Sequence, residues 1–339
     1  MARGPQAGPV LVMGAGAIGC FIGGRLAAAG SNVVFVGRPA AMEALRLRGL
    51  TLTDLDASTQ RLEPVALNLH DTVPPLKPSL VLLCVKTRAT AQAAAQLGAA
   101  LPEGTVVLSL QNGISNPGIA ARAAPTLEVL PGMVPFNVAQ IAPGQFHRGT
   151  TGTLAARDHE ALRPWLPAFA AAGLPLHLHA DMKAVQWGKL LLNLNNPVNA
   201  LSCLPLREQL LDRELRQVVA ALQEEALGVM RAAGIVPARL TPLPPSRIPD
   251  VLRLPTPLFR LIASRMLRID AQARSSMADD LAFGRPTEID ALCGEVIRLA
   301  AVVGYAAPMN ARIAQLVESW PHNRQPRTGA QLLAAMGLA

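Results

Sequence analysis

The chain has 339 residues. A single hydrophobic core rarely serves a chain of this length, so we predict two domains. Half of the residues are hydrophobic, but prolines, glycines and arginines interrupt every long apolar run, which argues against a membrane-spanning helix. The net charge of +8 suits an anionic partner, yet aromatic residues make up only 3% and no dense Lys/Arg block occurs, so we expect no nucleic-acid partner.

The four cysteines are widely spaced and form no C-x-x-C pair. This spacing fits neither a zinc site nor a disulfide framework, so we expect reduced thiols, a cytoplasmic protein and no metal.

The stretch from Val10 to Arg38 has two competing interpretations. A secretory leader would explain an early arginine followed by apolar residues and three small alanines. The alternative is the strand, turn and helix that open a dinucleotide-binding domain. The residues Gly14-Ala15-Gly16-Ala17-Ile18-Gly19 decide for the second interpretation, because they form G-x-G-x-x-G between an apolar strand and a helical run.

Each part of this motif has its own role. The first glycine makes the tight turn, the second lets a pyrophosphate approach the backbone, and the third lets the helix pack on the strand. The helix N-terminus then offers free N–H groups to the phosphates. We therefore expect cofactor contacts from Gly14, Gly16, Ala17, Ile18 and Gly19.

Up to about residue 180, short β-type runs alternate with alanine-rich helical runs, which is typical of βαβ units around a parallel sheet. The predicted strands are 10–13, 32–36, 80–85, 105–110, 127–134, 151–156 and 176–179. The predicted helices are 17–29, 40–48, 89–100 and 160–172. We thus predict a Rossmann-type, doubly wound parallel sheet over residues 1–180.

From residue 181 to 339 the pattern becomes helical, and we predict an all-helical domain. Its predicted helices are 182–201, 212–233, 286–303 and 310–318. The prolines of 241–257 predict that no regular helix forms in that stretch.

Arg38 follows the second strand, where an NAD site usually has a carboxylate for the ribose hydroxyl. An arginine there can pair with a 2′-phosphate, so the sequence favours NADP over NAD. The alternative is a surface arginine ahead of the helix that Pro39 begins.

Polar residues interrupt apolar surroundings at three further places. Lys86 and Asn112 follow predicted parallel strands, at the sheet edge where open α/β sheets bind ligands.

Lys189, Asn193 and Asn196 stand at i, i+4 and i+7 among leucines, so one helix would present them on one face. Pro197 would kink that helix and free the carbonyl of Asn193. Each group also has a plain interpretation, as a strand-end lysine, a turn residue or a solvated stripe.

Together these residues make the chain resemble the ketopantoate reductase family over nearly its whole length. The matching segments are G-A-G-A-I-G, C-V-K-T, Q-N-G, W-G-K-L-L-L-N and, most specifically, S-S-M-A-D-D-L-A-F-G-R-P-T-E-I-D. The resemblance implies NADPH-dependent reduction of ketopantoate to (R)-pantoate, on the pathway to pantothenate and coenzyme A.

The resemblance also assigns roles to the matching positions. Gly14, Gly16, Gly19 and Arg38 would bind NADPH, and Lys86 and Asn112 would organise cofactor and substrate. Lys189 would be the general acid. Asn193 and Ser276 would hold the substrate, and Glu288 would position neighbouring groups of the catalytic and cofactor site.

The sequence departs from the family pattern in two places. Pro197 stands where an asparagine is common, which leaves Asn196 or Asn199 to replace it. The stretch 240–273 looks longer than a minimal member needs, and could shape the pocket mouth or a dimer surface. Reduction of another branched 2-keto acid therefore stays open, as does a non-catalytic nucleotide sensor. We expect the site in a cleft between the domains, and the helical half is a candidate homodimer surface.

Overall fold

The computed structural model describes residues 8–264, 267 and 273–338. The chain divides into two units, the first ending at Met182 and the second beginning at Lys183. The strands are β1 Val10–Met13, β2 Val33–Val36, β3 Leu50–Thr53, β4 Thr59–Leu62, β5 Asn68–His70, β6 Leu80–Leu83, β7 Val106–Ser109, β8 Glu128–Met133, β9 Val138–Ala142, β10 Gln145–Arg148, β11 Leu154–Arg157 and β12 Leu176–His179.

Helices α1 to α5 belong to the first unit, and α6 begins at its last residue. The helices are α1 Ala17–Ala28, α2 Pro39–Arg48, α3 Thr90–Ala100, α4 Asn116–Ala123, α5 Leu166–Ala171, α6 Met182–Asn193, α7 Asn195–Ser202, α8 Leu206–Leu211, α9 Arg213–Ala232, α10 Ile248–Arg253, α11 Thr256–Ile262, α12 Ser276–Ala282, α13 Cys293–Val303, α14 Pro308–Glu318, α15 Trp320–Asn323 and α16 Gly329–Met336. Among the described residues, none of the helices has both the length and the apolar character needed to cross a membrane.

The main sheet has eight strands in the order β12-β11-β8-β7-β6-β1-β2-β5. The six strands from β8 to β5 are parallel to their neighbours, which confirms the Rossmann-type sheet. The one exception among these eight strands is the pair of β11 and β8, which run antiparallel to each other. Strands β9 and β10 connect these two strands in place of a crossover helix, and antiparallel neighbours need no crossover.

Strand β1 lies in the interior of this sheet, between β6 and β2, and is buried on both faces. Val10 and Val12 pack into the same core as Phe21 of α1, whereas Leu11 and Met13 pack with residues of α3. Alternate residues of one strand thus contact helices on opposite faces, as a doubly wound sheet requires.

A second sheet of four strands, in the order β4-β3-β10-β9, was not predicted. A buried ion cluster links it to α1: Asp54 accepts from Arg148 at 2.7 Å and lies 3.7 Å from the guanidinium of Arg25. The Arg148 guanidinium also lies over the rings of Phe21 and Phe136.

The second unit contains only helices and turns among its described residues, which confirms the predicted all-helical half. Two of its predicted helices are shorter or broken. The segment 182–201 is two helices that meet at Leu194, since Pro197 supplies no N–H to the carbonyl of Asn193. In the segment 286–303 the α-helix begins only at Cys293, after a 3₁₀ turn at Ile289–Ala291.

Proline also explains two further differences. The predicted helix 160–172 begins as a 3₁₀ segment up to Trp165 and becomes α-helical only afterwards. The expectation that 241–257 holds no regular helix is wrong, because α10 lies within it and α11 begins there. Pro249 and Pro257 occupy first turns, where no helical N–H is needed. Residues 265, 266 and 268–272 of the stretch 240–273 lie outside the described residues.

Candidate active site

The glycine turn between β1 and α1 leaves no room for a side chain at two of its three glycines. Gly14 has a φ of +112°, and a Cβ there would lie 2.7 Å from the backbone nitrogen of Val85. A Cβ at Gly19 would collide with the carbonyl oxygen of Gly14. Both positions therefore exclude any side chain.

Gly16 differs from the other two glycines because a Cβ there would meet no atom within 4 Å. Gly16 is the N-cap of α1, and the first helical hydrogen bond runs from Cys20 N to its carbonyl. The N–H groups of Ala17 and Ile18 open the helix, where backbone donors lack intrahelical acceptors. Open space beside these donors fits an anionic phosphate.

Arg38 lies at the carboxyl end of β2 and is the N-cap of α2. Its side chain is exposed and forms no hydrogen bond or ion pair with the other described residues. The guanidinium is therefore available to a ligand at the edge of the sheet that carries the glycine turn.

Lys86 and Asn112 follow β6 and β7, which are parallel neighbours. Lys86 is exposed and Asn112 is half-buried. Four adjacent strands, in the order β7-β6-β1-β2, thus each end next to a candidate residue. Asn112 follows β7, Lys86 follows β6, the glycine turn follows β1 and Arg38 follows β2. The structure brings all the candidate residues of the first unit to one edge of the sheet, as predicted.

A chain of buried side-chain hydrogen bonds, which sequence reasoning missed, lies directly beneath this edge. Ser109 donates to the Gln111 amide oxygen at 3.0 Å, and Gln111 donates to the Thr90 hydroxyl at 2.7 Å. Thr90 donates to the amide oxygen of Asn116 at 2.9 Å, and Asn116 donates to the carbonyl of Asn112 at 2.6 Å. The available signal was the pair of polar residues, Ser109 and Gln111, inside an otherwise apolar run.

In the second unit, Lys189 and Asn193 share one face of α6, whereas Asn196 belongs to α7. The prediction that all three share one helix is therefore wrong, because the chain breaks at Leu194. Lys189 is partly buried, and this burial lowers the pKa of its ammonium group to about 8. An ammonium group with that pKa can both stabilise a negative charge and donate its proton near neutral pH.

The four asparagines at this break separate into two pairs. Asn195 exchanges two hydrogen bonds with Gln209, and buried Asn199 donates to the carbonyl of Leu204 and accepts from the backbone of Ser275. By contrast, the amides of Asn193 and Asn196 form no hydrogen bond with the described residues. Both polar groups of the Asn199 side chain are therefore bonded within the fold, whereas the Asn196 amide has no such bond with the described residues.

Ser276 and Glu288 lie on two different segments of the second unit. Ser276 is the exposed first residue of α12, which packs against α7. Its neighbour Ser275 caps α12 by accepting from the backbone of Ala278, and it donates to the carbonyl of Asn196 at 3.4 Å. Glu288 is partly buried directly before a 3₁₀ turn that packs against α13.

Two family models match the chain in succession: one described as ketopantoate reductase PanE/ApbA over residues 10–160, and its C-terminal counterpart over residues 181–320. The chain belongs to the ketopantoate reductase family. The resemblance read from its motifs is confirmed, and the protein is an oxidoreductase.

Individual members of this family are similar over almost their whole lengths. The 2-dehydropantoate 2-reductase of Halobacterium salinarum is 27% identical over 325 residues, covering 91% of this chain and 97% of the relative. That of Caulobacter vibrioides is 29% identical over 312 residues, covering 91% and 98%. The crystal structure of a ketopantoate reductase from Ralstonia eutropha is 30% identical, with a TM-score of 0.76 and coverage of 91% and 97%.

Proposed function

We propose that this member of the family reduces the keto group of ketopantoate to (R)-pantoate, using NADPH, as a step toward pantothenate and coenzyme A. The observation that carries the proposal is a partly buried lysine of lowered pKa on the same helix face as Asn193, with Asn196 at the start of the next helix. Neither amide forms a hydrogen bond with the described residues. A 2-keto acid with a hydroxyl group needs one acid for its carbonyl and polar partners for its two ends. These three side chains and Ser276 supply those groups.

The glycine turn and the start of α1 would hold the pyrophosphate of the dinucleotide, and Arg38 would hold the 2′-phosphate. When bound, NADPH supplies a hydride to the keto carbon. Lys189 stabilises the negative charge that develops on the keto oxygen and donates a proton to it, which completes the alcohol. Lys86 and Asn112 orient the reacting groups, and Glu288 positions neighbouring groups of the site.

The proposal is tested by following oxidation of reduced nicotinamide with a panel of 2-keto acids, using NADPH and NADH in parallel. We expect the highest kcat/KM for ketopantoate with NADPH. Preference for a different branched 2-keto acid would retain the reaction but reject the substrate. Failure to reduce any acid of the panel would leave a nucleotide-binding protein without this activity.

Replacing Arg38 with alanine should weaken NADPH binding about tenfold or more while leaving NADH binding nearly unchanged, because only NADPH carries the phosphate that a guanidinium can pair with. Direct titration of each nucleotide by fluorescence measures both affinities. The matched control is Arg48→Ala, an exposed arginine at the opposite end of the same helix α2. Equal losses for the two nucleotides would remove Arg38 from the phosphate site.

A further inference from the structure

The hydrogen-bond chain beneath the sheet edge connects the two loops that carry Lys86 and Asn112. Gln111 immediately precedes Asn112, and its amide nitrogen also donates to the carbonyl of Val85 at 2.8 Å. Val85 immediately precedes Lys86. The buried Gln111 side chain therefore fixes the backbone immediately before Lys86 and immediately before Asn112.

Asn116 makes the corresponding connection from the far side. Its amide nitrogen donates to the carbonyl of Asn112 itself and, at 3.1 Å, to the hydroxyl of Thr87, which follows Lys86. Gln111 and Asn116 thus hold Lys86 from both flanks and tie it to Asn112. Both amides are buried, at 8% and 2% exposure, which shields their end of these bonds from water.

Thr90 joins the two amides, because its hydroxyl accepts from Gln111 and donates to Asn116. The hydrogen bonds of this series all have the same donor-to-acceptor direction. They run from Ser109 through Gln111, Thr90 and Asn116 to the carbonyl of Asn112. Hydrogen bonds that run in one direction polarise one another and strengthen the series. Thr90 is fully buried. Loss of its hydroxyl would leave an N–H of Gln111 without this acceptor and the amide oxygen of Asn116 without this donor.

We propose that Gln111, Thr90 and Asn116 are positioning residues that set the spacing of Lys86 and Asn112 for the reaction. In this role they contact neither the substrate nor the nucleotide, and they act through the two loops that carry Lys86 and Asn112. The inference rests on the proposed function of Lys86 and Asn112. It gives this buried network a purpose beyond stability, since its bonds converge on the residues that flank those two.

The test replaces Thr90 with valine, which has nearly the same volume and no hydroxyl, and with serine, which keeps the hydroxyl. We expect Thr90→Val to lower kcat/KM for ketopantoate about tenfold or more, since small displacements of orienting groups are costly. Thr90→Ser should restore most of the activity. Thr87→Val, at a partly exposed position, removes one bond of the network and should act in the same direction to a smaller extent.

The matched control is Thr105→Val at the opposite end of β7. Thr105 is also buried and donates to the carbonyl of Pro102, far along the strand from the two loops. It should lower the melting temperature without changing kcat/KM.

Backbone hydrogen exchange supplies a readout that does not depend on activity. In Thr90→Val, the amides of residues 84–90 and 110–116 should exchange faster, while those of the strand between them keep their protection. Unchanged exchange in both loops would overturn the connection. Faster exchange with an unaltered kcat/KM would overturn the positioning role. A wild-type protein that reduces no 2-keto acid would reject the proposed function, and exchange alone would then decide whether the network holds the loops.

Discussion

Replacing Lys189 with methionine should lower kcat for ketopantoate by about 10²- to 10⁴-fold, the usual contribution of a positioned general acid. Methionine preserves the length and apolar character of the side chain, so the packing of α6 should survive. The loss comes from removing both the charge that stabilises the developing oxyanion and the proton that neutralises it. Steady-state kinetics with saturating NADPH measure the effect.

The control for this variant is Lys183→Met, which removes an exposed lysine from the first turn of the same helix. It should leave kcat within about twofold of wild type, since exposed positions away from a site have small effects. NADPH affinity should be similar in both variants. Normal turnover by Lys189→Met would exclude this residue as the acid.

Replacing Arg216 with methionine should destabilise the protein by about 3 kcal/mol or more, the cost of several buried acceptors left without donors. Arg216 lies on α9 and is fully buried. Its guanidinium donates to the carbonyls of Leu210, Leu252 and Leu254 at 2.8–2.9 Å and lies 4.2 Å from the ring centre of Phe259.

These acceptors explain why one side chain has so large an effect. Leu210 lies in the last turn of α8 and Leu252 in the last turn of α10, where carbonyl groups lack helical donors and carry partial negative charge. Arg216 therefore completes the ends of two short helices and holds the proline-rich segment on α9.

Urea unfolding measures the expected loss, as a lower midpoint for Arg216→Met. Arg213→Met removes an exposed arginine from the first turn of the same helix and should stay within about 0.5 kcal/mol of wild type. A midpoint for Arg216→Met equal to that of the control would show that the buried guanidinium does not hold these segments.

The parts of the fold that sequence predicts well are those with a strong apolar pattern. Strands β1 and β12 have the predicted bounds, and β2, β6 and β7 lie within one or two residues of them. The second sheet has no such pattern, because β4 reads Thr-Gln-Arg-Leu and alternates between exposed and half-exposed residues. Its place depends on contacts between residues distant in the chain, such as Arg148 with Asp54.

The same distinction applies to the candidate site. Lys86 and Asn112 could be placed together from sequence, since parallel strands end at one sheet edge. The different hydrogen bonding of Asn196 and Asn199 could not be predicted, because Asn199 is bonded to Ser275, which is remote in sequence. The break at Leu194 followed from Pro197, but which helix then carries Asn196 depended on where the chain resumes.

The most direct test of Lys189 as general acid is the pH dependence of kcat/KM for ketopantoate, which reports the ionisation of the free enzyme. Burial lowers the pKa of Lys189 to about 8, so the proton-donating form predominates below that pH and is lost above it. We expect kcat/KM to be level on the acidic side of about pH 8 and to fall about tenfold per pH unit on the alkaline side. A profile that stays level, or rises, up to about pH 10 would contradict the account.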